Sequence, residues 1–236
     1  MPSALVTGSA KGIGKALLLM LVSEGYDVAV HYNRSQAEAE AVCDDAKTHG
    51  VRAEMFQADV TKPDEAAALV TQVHDAFGRL DVLINNVGNY HKVRLDELAI
   101  DDWHAMFDSN LHCTFYTCQA AAQLMRAQNF GRIINIGFAG SEKLVARPGV
   151  VAYGIAKTGV ILYSKALAKT EAKHGITVNI ISPGIMVNSV SKPTTDIPLG
   201  RLGELDELTS VAKFLVSKEA SYVTGVHIEV AGGWNL

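Results

Sequence analysis

Short apolar runs alternate with longer segments of helical periodicity along the whole chain. Each apolar run has the length of a strand and is rich in β-branched residues, so it predicts a strand. The predicted strands are Ala4–Thr7, Asp27–Tyr32, Arg52–Gln57, Val82–Asn85, Arg132–Ile136, Thr177–Ile181 and Val226–Val230. Most are almost continuously apolar, which is typical of parallel strands covered on both faces.

The segments between these strands predict helices. They are Gly12–Glu24, Ser35–His49, Pro63–Phe77, Asp101–Gln128, Val150–His174 and Asp206–Ser217. Ser35 and Asp101 are predicted N-caps, and Pro63 suits the first turn of a helix. Glycines are predicted to end four of the helices, at Gly25, Gly50, Gly78 and Gly175.

The regular alternation predicts an α/β fold: a doubly wound, Rossmann-type parallel sheet of about seven strands with helices on both faces. No linker, repeat or low-complexity tract is present, so we expect one domain over residues 1–236. The least regular segment is Met186–Gly203, which contains Pro193 and Pro198 and follows a strand end. Ligands bind at such ends, which favours a mobile substrate loop. An inert surface loop is the alternative.

Composition narrows the class of protein. The 236 residues are 48% hydrophobic and 19% charged with a net charge of −4, which is typical of a soluble globular protein and argues against nucleic-acid or membrane binding. No apolar run reaches membrane-spanning length, and the N-terminus lacks signal-peptide features. Cys43, Cys113 and Cys118 form no CxxC pattern, which favours the reduced cytoplasm. We expect no metal site, since His112 beside Cys113 lacks further ligands.

A glycine-rich loop, "VTGSAKGIG" (Val6–Gly14), joins the first strand to the first helix. Gly8, Gly12 and Gly14 allow a tight turn and close approach of the backbone to a phosphate. The helix that follows offers free N–H groups to an anion. The loop therefore indicates a nucleotide cofactor, with Ser9, Lys11 and Ile13 as further candidate contacts.

The residues after the second strand indicate which cofactor is bound. A cofactor without a 2′-phosphate is usually held there by Asp or Glu, but this chain has Asn33, Arg34 and Ser35. Arg34, Ser35 and Lys11 suit a phosphomonoester. NADPH is therefore favoured over NADH, and the alternative is that Arg34 is a solvated surface residue.

The chain resembles the short-chain dehydrogenase/reductase family over essentially its whole length. The motifs occur in the order of that family: "TGSAKGIG" (7–14), "ADV" (58–60), "NNVG" (85–88), "SNL" with Asn110, "YGIAK" (153–157), "ISPG" (181–184) and "SYVTGVHIEVAGG" (221–233). The broadest likeness is to 3-oxoacyl-[acyl-carrier-protein] reductases. The segments "VHYNRSQAEAE" and "IINIGF" are similar to those of pteridine reductases, which use NADPH.

The resemblance implies a set of cofactor contacts. Asp59 would meet the adenine amino group, with the Val60 backbone beside it. The remaining contacts to the ribose and nicotinamide would come from Asn86, Gly88, Pro183, Gly184 and, where the family often has Thr, Asn188.

Tyr153 and Lys157 are four residues apart on a predicted helix and therefore share a face. A nearby ammonium favours the phenolate, which lowers the high intrinsic pKa of a tyrosine. The pair is thus a candidate proton donor for a carbonyl that receives a hydride from the cofactor. By the resemblance, Lys157 would also reach the nicotinamide ribose, and Asn110 would help to hold a water that relays protons to Lys157.

The family has a serine near the end of the fifth strand that hydrogen-bonds the substrate oxygen. Counting back from Tyr153 by the usual interval reaches Gly140, whereas alignment on the strand reaches Phe138. Three explanations remain open. Either Ser141 supplies the hydroxyl, or the substrate is a conjugated or aromatic acceptor oriented by Phe138, or the protein binds NADPH with poor turnover. Losing such a donor costs about 10²–10³ in rate.

The sequence therefore predicts an NADPH-dependent reductase of a small carbonyl, 3-oxoacyl-like or conjugated and pterin-like. The alternative is an NADP(H)-binding sensor or scaffold protein with weak or no catalysis. Lys143, Arg147 and Lys192 are candidates for a basic patch facing an acyl-carrier protein. By the resemblance, we expect a homotetramer or dimer that pairs through the helices Asp101–Gln128 and Val150–His174 and the last strand.

Overall fold

The computed structural model describes residues 1–189 and 192–235. Its single sheet has seven strands: β1 Ser3–Val6, β2 Asp27–Tyr32, β3 Ala53–Gln57, β4 Val82–Asn85, β5 Gly131–Ile136, β6 Ile176–Pro183 and β7 His227–Val230. Their order is β3-β2-β1-β4-β5-β6-β7, and every neighbouring pair is parallel. The predicted Rossmann-type sheet is confirmed.

Seven α-helices connect the strands in the described part of the chain. They are α1 Gly12–Ser23, α2 Gln36–Thr48, α3 Pro63–Phe77, α4 Ile100–Phe107, α5 Cys113–Gln128, α6 Val151–Glu171 and α7 Leu205–Val216. Within the described residues, no helix is both long and apolar enough to cross a membrane.

The sheet separates two apolar cores. Alternate residues of β1 supply both of them, since Ala4 and Val6 join the core under α1, α2 and α7, whereas Leu5 joins the core under α3, α5 and α6. This alternation follows from the two-residue period of a strand. All three side chains are 0% exposed, which explains why the strand is continuously apolar in sequence.

The predicted helix Asp101–Gln128 is not continuous. Between α4 and α5, residues Asp108–His112 form a π-helical turn. The side-chain amide of Asn110 donates to the Met106 carbonyl over 3.0 Å. In a regular α-helix, that carbonyl would accept a hydrogen bond from a backbone N–H. The side-chain bond therefore accounts for an interruption that hydrophobic periodicity does not reveal.

One of the two predicted N-caps differs from the structure. Helix α4 begins at Ile100 with Ala99 in the N-cap position, so Asp101 lies inside the first turn, where its charge favours the helix dipole. Ser35 does occupy the N-cap of α2, but its side chain makes no capping hydrogen bond.

Strand order reverses at β1 and β4, which opens a crevice at their carboxyl ends. The predicted substrate loop Met186–Gly203 borders this end of the sheet and includes Val190 and Ser191, which lie outside the described residues. The ends of the loop are joined, because Val187 N–H donates to the Gly203 carbonyl over 2.9 Å and Gly203 N–H to that of Ile185 over 3.0 Å.

Candidate active site

The glycine-rich loop lies in the crevice directly after β1. Gly8 and Gly12 have φ angles of +66° and +56°, a region in which a side chain is strained. Gly14 has no room for one, since a Cβ would stand 2.3 Å from the Gly8 carbonyl oxygen. The glycines therefore let the first turn of α1 pack tightly against the loop.

His31 on β2 holds this loop in place. The ring is 1% exposed and accepts a hydrogen bond from Gly8 N–H at Nδ1 over 2.8 Å, while Nε2 donates to the Ala58 carbonyl over 3.1 Å. Ser9 Oγ accepts from His31 N–H over 3.0 Å. Burial lowers the pKa of His31 to about 4, so the ring is neutral at pH 7. The sequence analysis did not identify His31 as a site residue. A polar ring within an otherwise apolar strand could have indicated it.

A cavity of about 540 Å³ extends from the loop towards the end of β2. Its lining includes seven of the predicted cofactor residues: Gly8, Lys11, Asn33, Arg34, Ser35, Asp59 and Val60. The cavity therefore brings together the predicted phosphate loop, the cationic segment after β2 and the segment after β3.

Two charged groups in this cavity already have partners. Lys11 Nζ lies 2.6 Å from Glu38, so its charge is shared with a carboxylate. Thr61 donates to Asp59 Oδ1 from its hydroxyl over 2.7 Å and from its N–H over 3.1 Å, which lowers the pKa of Asp59. Arg34 is exposed at the rim and belongs to no ion pair among the described residues.

A second cavity of about 410 Å³ continues along the carboxyl ends of β4, β5 and β6. It shares Gly8 and Val87 with the first cavity. The other lining residues are Ile13, Asn86, Gly88, Ile136, Gly137, Tyr153, Lys157, Pro183 and Asn188. The predicted site residues absent from both linings are Ser9, Gly12, Gly14, Asn110, Ser141 and Gly184.

Lys157 is buried below the second cavity. Its ammonium donates to the Ile136 carbonyl over 2.8 Å and lies 5.9 Å from the centre of the Tyr153 ring. The residue is 4% exposed, and burial lowers the pKa of Lys157 to about 8. The spacing predicted from the sequence therefore does place the ammonium beside the phenol.

Asn110 lies next to Lys157 at the π-helical turn. Its side-chain Nδ2 donates to the carbonyls of Asn89 and Met106, each over 3.0 Å. Its Oδ1 is buried without a hydrogen-bond partner among the described residues. A Cβ on Gly88 would stand 2.6 Å from that oxygen and 3.2 Å from Lys157 Nζ, so Gly88 leaves a small polar gap between the two groups.

Aromatic rings surround Tyr153. The ring of Tyr90 lies 5.1 Å away at an interplanar angle of 85°, and that of Phe138 lies 5.2 Å away at 69°. Trp234 extends the group, with its ring 5.7 Å from Phe138. Burial raises the pKa of Tyr153, and the charge of Tyr90 adds to the effect, so the lowering of this pKa expected from Lys157 is not found. None of the hydrogen bonds of the described residues involves the Tyr153 hydroxyl.

The structure distinguishes the three candidates for the serine position. The Phe138 side chain contacts Tyr153, whereas Gly140 has a φ of +78° and carries no side chain. Ser141 donates its hydroxyl to the Phe138 carbonyl over 2.7 Å and lines a separate hollow with Leu144, Val145 and other residues. In this arrangement the Ser141 hydroxyl does not face the cavity that Tyr153 lines.

The loop after β5 is attached to β7 by side chains that sequence reasoning did not single out. His227 lies 2.6 Å from Ser182 Oγ through Nε2 and 3.0 Å from Glu142 through Nδ1, with its side chain only 3% exposed. Glu142 also pairs with Lys165 on α6, and Glu229 accepts from Gly140 N–H over 2.6 Å. Two residues of β7 therefore hold the loop that carries Phe138.

Comparisons with known proteins show which family the chain is similar to. A family model described as Enoyl-(Acyl carrier protein) reductase matches residues 8–235. The chain is 38% identical over 240 residues to 3-oxoacyl-[acyl-carrier-protein] reductase FabG of Staphylococcus aureus, covering 98% of this chain and 97% of the relative. It is 37% identical over 237 residues to 3-oxoacyl-[acyl-carrier-protein] reductase of Synechocystis, covering 98% and 95%.

Solved structures give the same result. Acetoin dehydrogenase from Enterobacter cloacae superposes with a TM-score of 0.91 at 33% identity, covering 99% of this chain and 95% of the other. Acetoin dehydrogenase YohF from Salmonella typhimurium superposes with a TM-score of 0.92 at 32% identity, covering 99% and 97%. The similarity in sequence and in fold therefore extends over nearly the whole chain.

Proposed function

Since this chain belongs to the short-chain dehydrogenase/reductase family of oxidoreductases, we propose that it is an NADPH-dependent reductase of small carbonyl compounds. One observation carries the proposal. The two cavities meet at Gly8 and Val87, so one continuous cleft runs from Arg34 to Tyr153 and Lys157. A cleft with a cationic end, a glycine loop in the middle and an acid–base pair at the far end suits a dinucleotide and its substrate.

The residues of the cleft fit such a cofactor. The cradle at Gly8, Gly14 and Gly88 has no room for side chains, and the buried Asn110 Oδ1 beside Gly88 has no hydrogen-bond partner among the described residues. At the cationic end, Arg34 supports NADPH because a guanidinium matches a phosphate monoester and no carboxylate directly follows β2.

A bound nicotinamide cofactor supplies the hydride. Tyr153 then donates its hydroxyl proton to the carbonyl oxygen, so that the ketone becomes a secondary alcohol. Burial raises the pKa of Tyr153 and makes its phenol a weaker acid, so the proton transfer depends on the neighbouring Lys157 ammonium. The Lys157 ammonium stabilises the phenolate that remains, and a water held at Asn110 Oδ1 beside Lys157 returns the proton from solvent.

The relatives suggest the kind of substrate. Their names specify 3-oxoacyl groups and acetoin, and in both the reacting carbon has a second oxygen function nearby. We therefore propose a 3-oxoacyl-like or other small activated carbonyl. An acyl-carrier partner remains a proposal: Lys143 and Lys192 are exposed, whereas the Arg147 guanidinium lies over the Phe138 ring at 5.1 Å.

We also propose a cytoplasmic homo-oligomer. Exposed apolar side chains on the outer faces of α5 and α6 support pairing through these helices: Phe115 is 42%, Ile155 46% and Leu162 71% exposed. All three cysteines are buried and free, which fits a reducing compartment.

Cofactor titration followed by turnover tests the proposed function. NADPH should bind more tightly than NADH. Arg34→Ala should weaken NADPH binding by about tenfold or more and so remove most of that preference, because a charge-assisted hydrogen bond is lost. Tyr153→Phe should lower kcat by about 10²–10⁴ with NADPH binding retained. Tyr163→Phe, on the same helix but outside both cavities, is the matched control.

Equal affinity for the two cofactors would refute the choice of NADPH. Tight NADPH binding without turnover of any carbonyl would instead support the sensor or scaffold reading, and binding of neither cofactor would refute both.

A further inference from the structure

The loop between β4 and α4 brings a second phenol to Tyr153. Tyr90 follows Gly88, which lines the second cavity, and Asn89, which lines the first. The ring of Tyr90 lies 5.1 Å from that of Tyr153 at an interplanar angle of 85°. Tyr90 is 51% exposed, so one side of its ring is open to solvent while the other contacts Tyr153.

Hydrogen bonds fix the backbone on both sides of Tyr90. The Asn89 carbonyl accepts from Asn110 Nδ2 over 3.0 Å, and Val93 N–H donates to the Gly149 carbonyl over 3.0 Å. The loop is therefore attached to the π-helical turn at one end and to the segment before α6 at the other. A side chain on a backbone held in this way is preorganised for a contact in the cleft.

The hydroxyls of Tyr90 and Tyr153 are both available to a substrate. Neither takes part in a hydrogen bond with another described residue, although the two rings touch. The charge of Tyr90 contributes to the raised pKa of Tyr153, which is the effect of a second phenolate nearby. A carbonyl oxygen has two lone pairs and can accept from two hydroxyls at once. The pair of phenols therefore suits one substrate oxygen.

The other candidates for a second donor are less well placed. Phe138 has no polar atom in its side chain, and the Ser141 hydroxyl already donates to the Phe138 carbonyl over 2.7 Å. The ring of Trp234 contacts that of Phe138 at 5.7 Å, whereas the ring of Tyr90 contacts that of Tyr153 itself. Tyr90 is thus the donor that lies directly against the proposed proton donor.

We propose that Tyr90 is a further catalytic residue, whose hydroxyl donates a hydrogen bond to the substrate carbonyl oxygen in place of the serine that the fifth strand lacks. This inference rests on the proposed reductase function. In the step, a C–H bond forms at the carbonyl carbon from the hydride of NADPH, and the carbonyl oxygen takes the Tyr153 proton. Tyr90 keeps its own proton and stabilises the negative charge that develops on the oxygen.

Tyr90→Phe tests this role, because it removes the hydroxyl and keeps the ring. With ethyl acetoacetate as the probe substrate, we expect kcat to fall by about tenfold to a hundredfold with KM changed by less than about threefold. This loss is smaller than that of a fully buried donor, because water can reach the half-exposed position. Tyr222→Phe, at a position that is 101% exposed, is the matched control and should leave kcat unchanged.

A double-variant cycle shows whether Tyr90 replaces the serine. Phe138→Ser should raise kcat by about tenfold in the Tyr90→Phe background, because it supplies a new donor at the end of β5. The same change should have a clearly smaller effect in the native protein, where the oxygen already has two donors. Phe138→Ala, which makes the same space without a hydroxyl, should not rescue Tyr90→Phe.

Fluorescence titration with NADPH and thermal unfolding accompany each variant. Equal cofactor affinity and an equal unfolding temperature in Tyr90→Phe and the native protein are expected, since the proposed contact is made to the substrate alone. A loss of kcat that follows a loss of cofactor affinity would overturn the inference, because Tyr90 would then hold the cleft together rather than contact the substrate.

Three further results would overturn the inference and leave the proposed function intact. The first is a kcat of Tyr90→Phe within twofold of the native value while Tyr153→Phe removes turnover. The second is rescue by Phe138→Ala as strong as that by Phe138→Ser. The third is a larger loss in Trp234→Phe than in Tyr90→Phe, which would make the indole N–H the donor. Absence of any NADPH-dependent turnover in the native protein would instead refute the proposed function, and the inference with it.

Discussion

The His31 ring joins two segments of the cofactor cleft, because Nδ1 accepts from Gly8 N–H over 2.8 Å and Nε2 donates to the Ala58 carbonyl over 3.1 Å. The glycine loop after β1 and the end of β3 are thus held by one neutral, buried side chain. Among the described residues, no direct hydrogen bond joins the two segments, so the ring links them, while Asn86 Nδ2 also holds the loop through the Thr7 and Gly8 carbonyls.

We expect His31→Leu to lower the free energy of unfolding by about 2–4 kcal/mol, since two buried backbone groups lose their partners. NADPH affinity should also fall, because Gly8 is no longer held. Urea unfolding and cofactor titration at pH 7 measure both effects. His49→Leu, at the exposed end of α2, is the matched control. Unchanged cofactor affinity would show that the loop holds its shape without the ring.

The same residue predicts a pH dependence of stability. The pKa of His31 is about 4 in the folded protein, below its ordinary value of 6.5. Between these values the unfolded chain binds a proton that the folded protein does not, so stability is complete above about pH 6.5 and falls as the pH drops towards 4. The loss should be on the order of 3 kcal/mol and absent from His31→Leu.

Lys157→Met should stabilise the cofactor-free protein while abolishing turnover. Burial lowers the pKa of Lys157 to about 8 from its ordinary value of 10.5. Below pH 8 the folded protein carries a buried ammonium, which costs on the order of 3 kcal/mol relative to the exposed group. Between pH 8 and 10.5, Lys157 is protonated in the unfolded chain but not in the folded native protein, so the native protein gains stability as the pH rises. The difference in stability between the variant and the native protein should therefore shrink over this range.

Thermal unfolding of the two proteins at pH 7 and at pH 10 measures this effect. Lys169→Met, at an exposed position of the same helix, should show neither the stabilisation nor its pH dependence. A variant that is less stable than the native protein at pH 7 would contradict the cost assigned to the buried ammonium.

Glu38→Gln should tighten NADPH binding. The carboxylate of Glu38 lies 2.6 Å from Lys11 Nζ, which lines the phosphate end of the cleft, so it competes with a bound phosphate for the same cation. Both side chains are partly exposed, and we expect a gain of only about two- to fivefold that declines with added salt. Titration of Glu38→Gln beside the control Glu40→Gln measures it. An equal gain in both variants would indicate a general charge effect.

His227→Leu should loosen the loop that carries Phe138. The ring of His227 joins Ser182 on β6 to Glu142 in the loop, and it is almost fully buried. We expect a loss of about 1–3 kcal/mol in the free energy of unfolding. KM for the carbonyl substrate should rise, with NADPH affinity unchanged. His227→Gln keeps a polar side chain, so its KM should lie between those of the native protein and His227→Leu. An equal KM in both variants would indicate a purely structural role.

The sequence by itself determined the positions of the strands and the class of the sheet, whereas the strand order came from the structure. Parallel strands covered on both faces must be apolar throughout, and the helices between them must carry an apolar stripe, so periodicity alone located all seven strands to within a few residues. It also determined the proximity of Tyr153 and Lys157, because a four-residue spacing on a helix fixes which side chains share a face.

Tertiary structure decided the surroundings of that pair. The contact between Phe138 and Tyr153, the approach of Tyr90 and Trp234, and the tie from His31 to Gly8 join residues far apart in the chain. The direction of the Ser141 hydroxyl and the π-helical turn at Asn110 depend on single side-chain hydrogen bonds. Local periodicity carries no record of such contacts, because they form only when distant strands bring their carboxyl ends to one edge of the sheet.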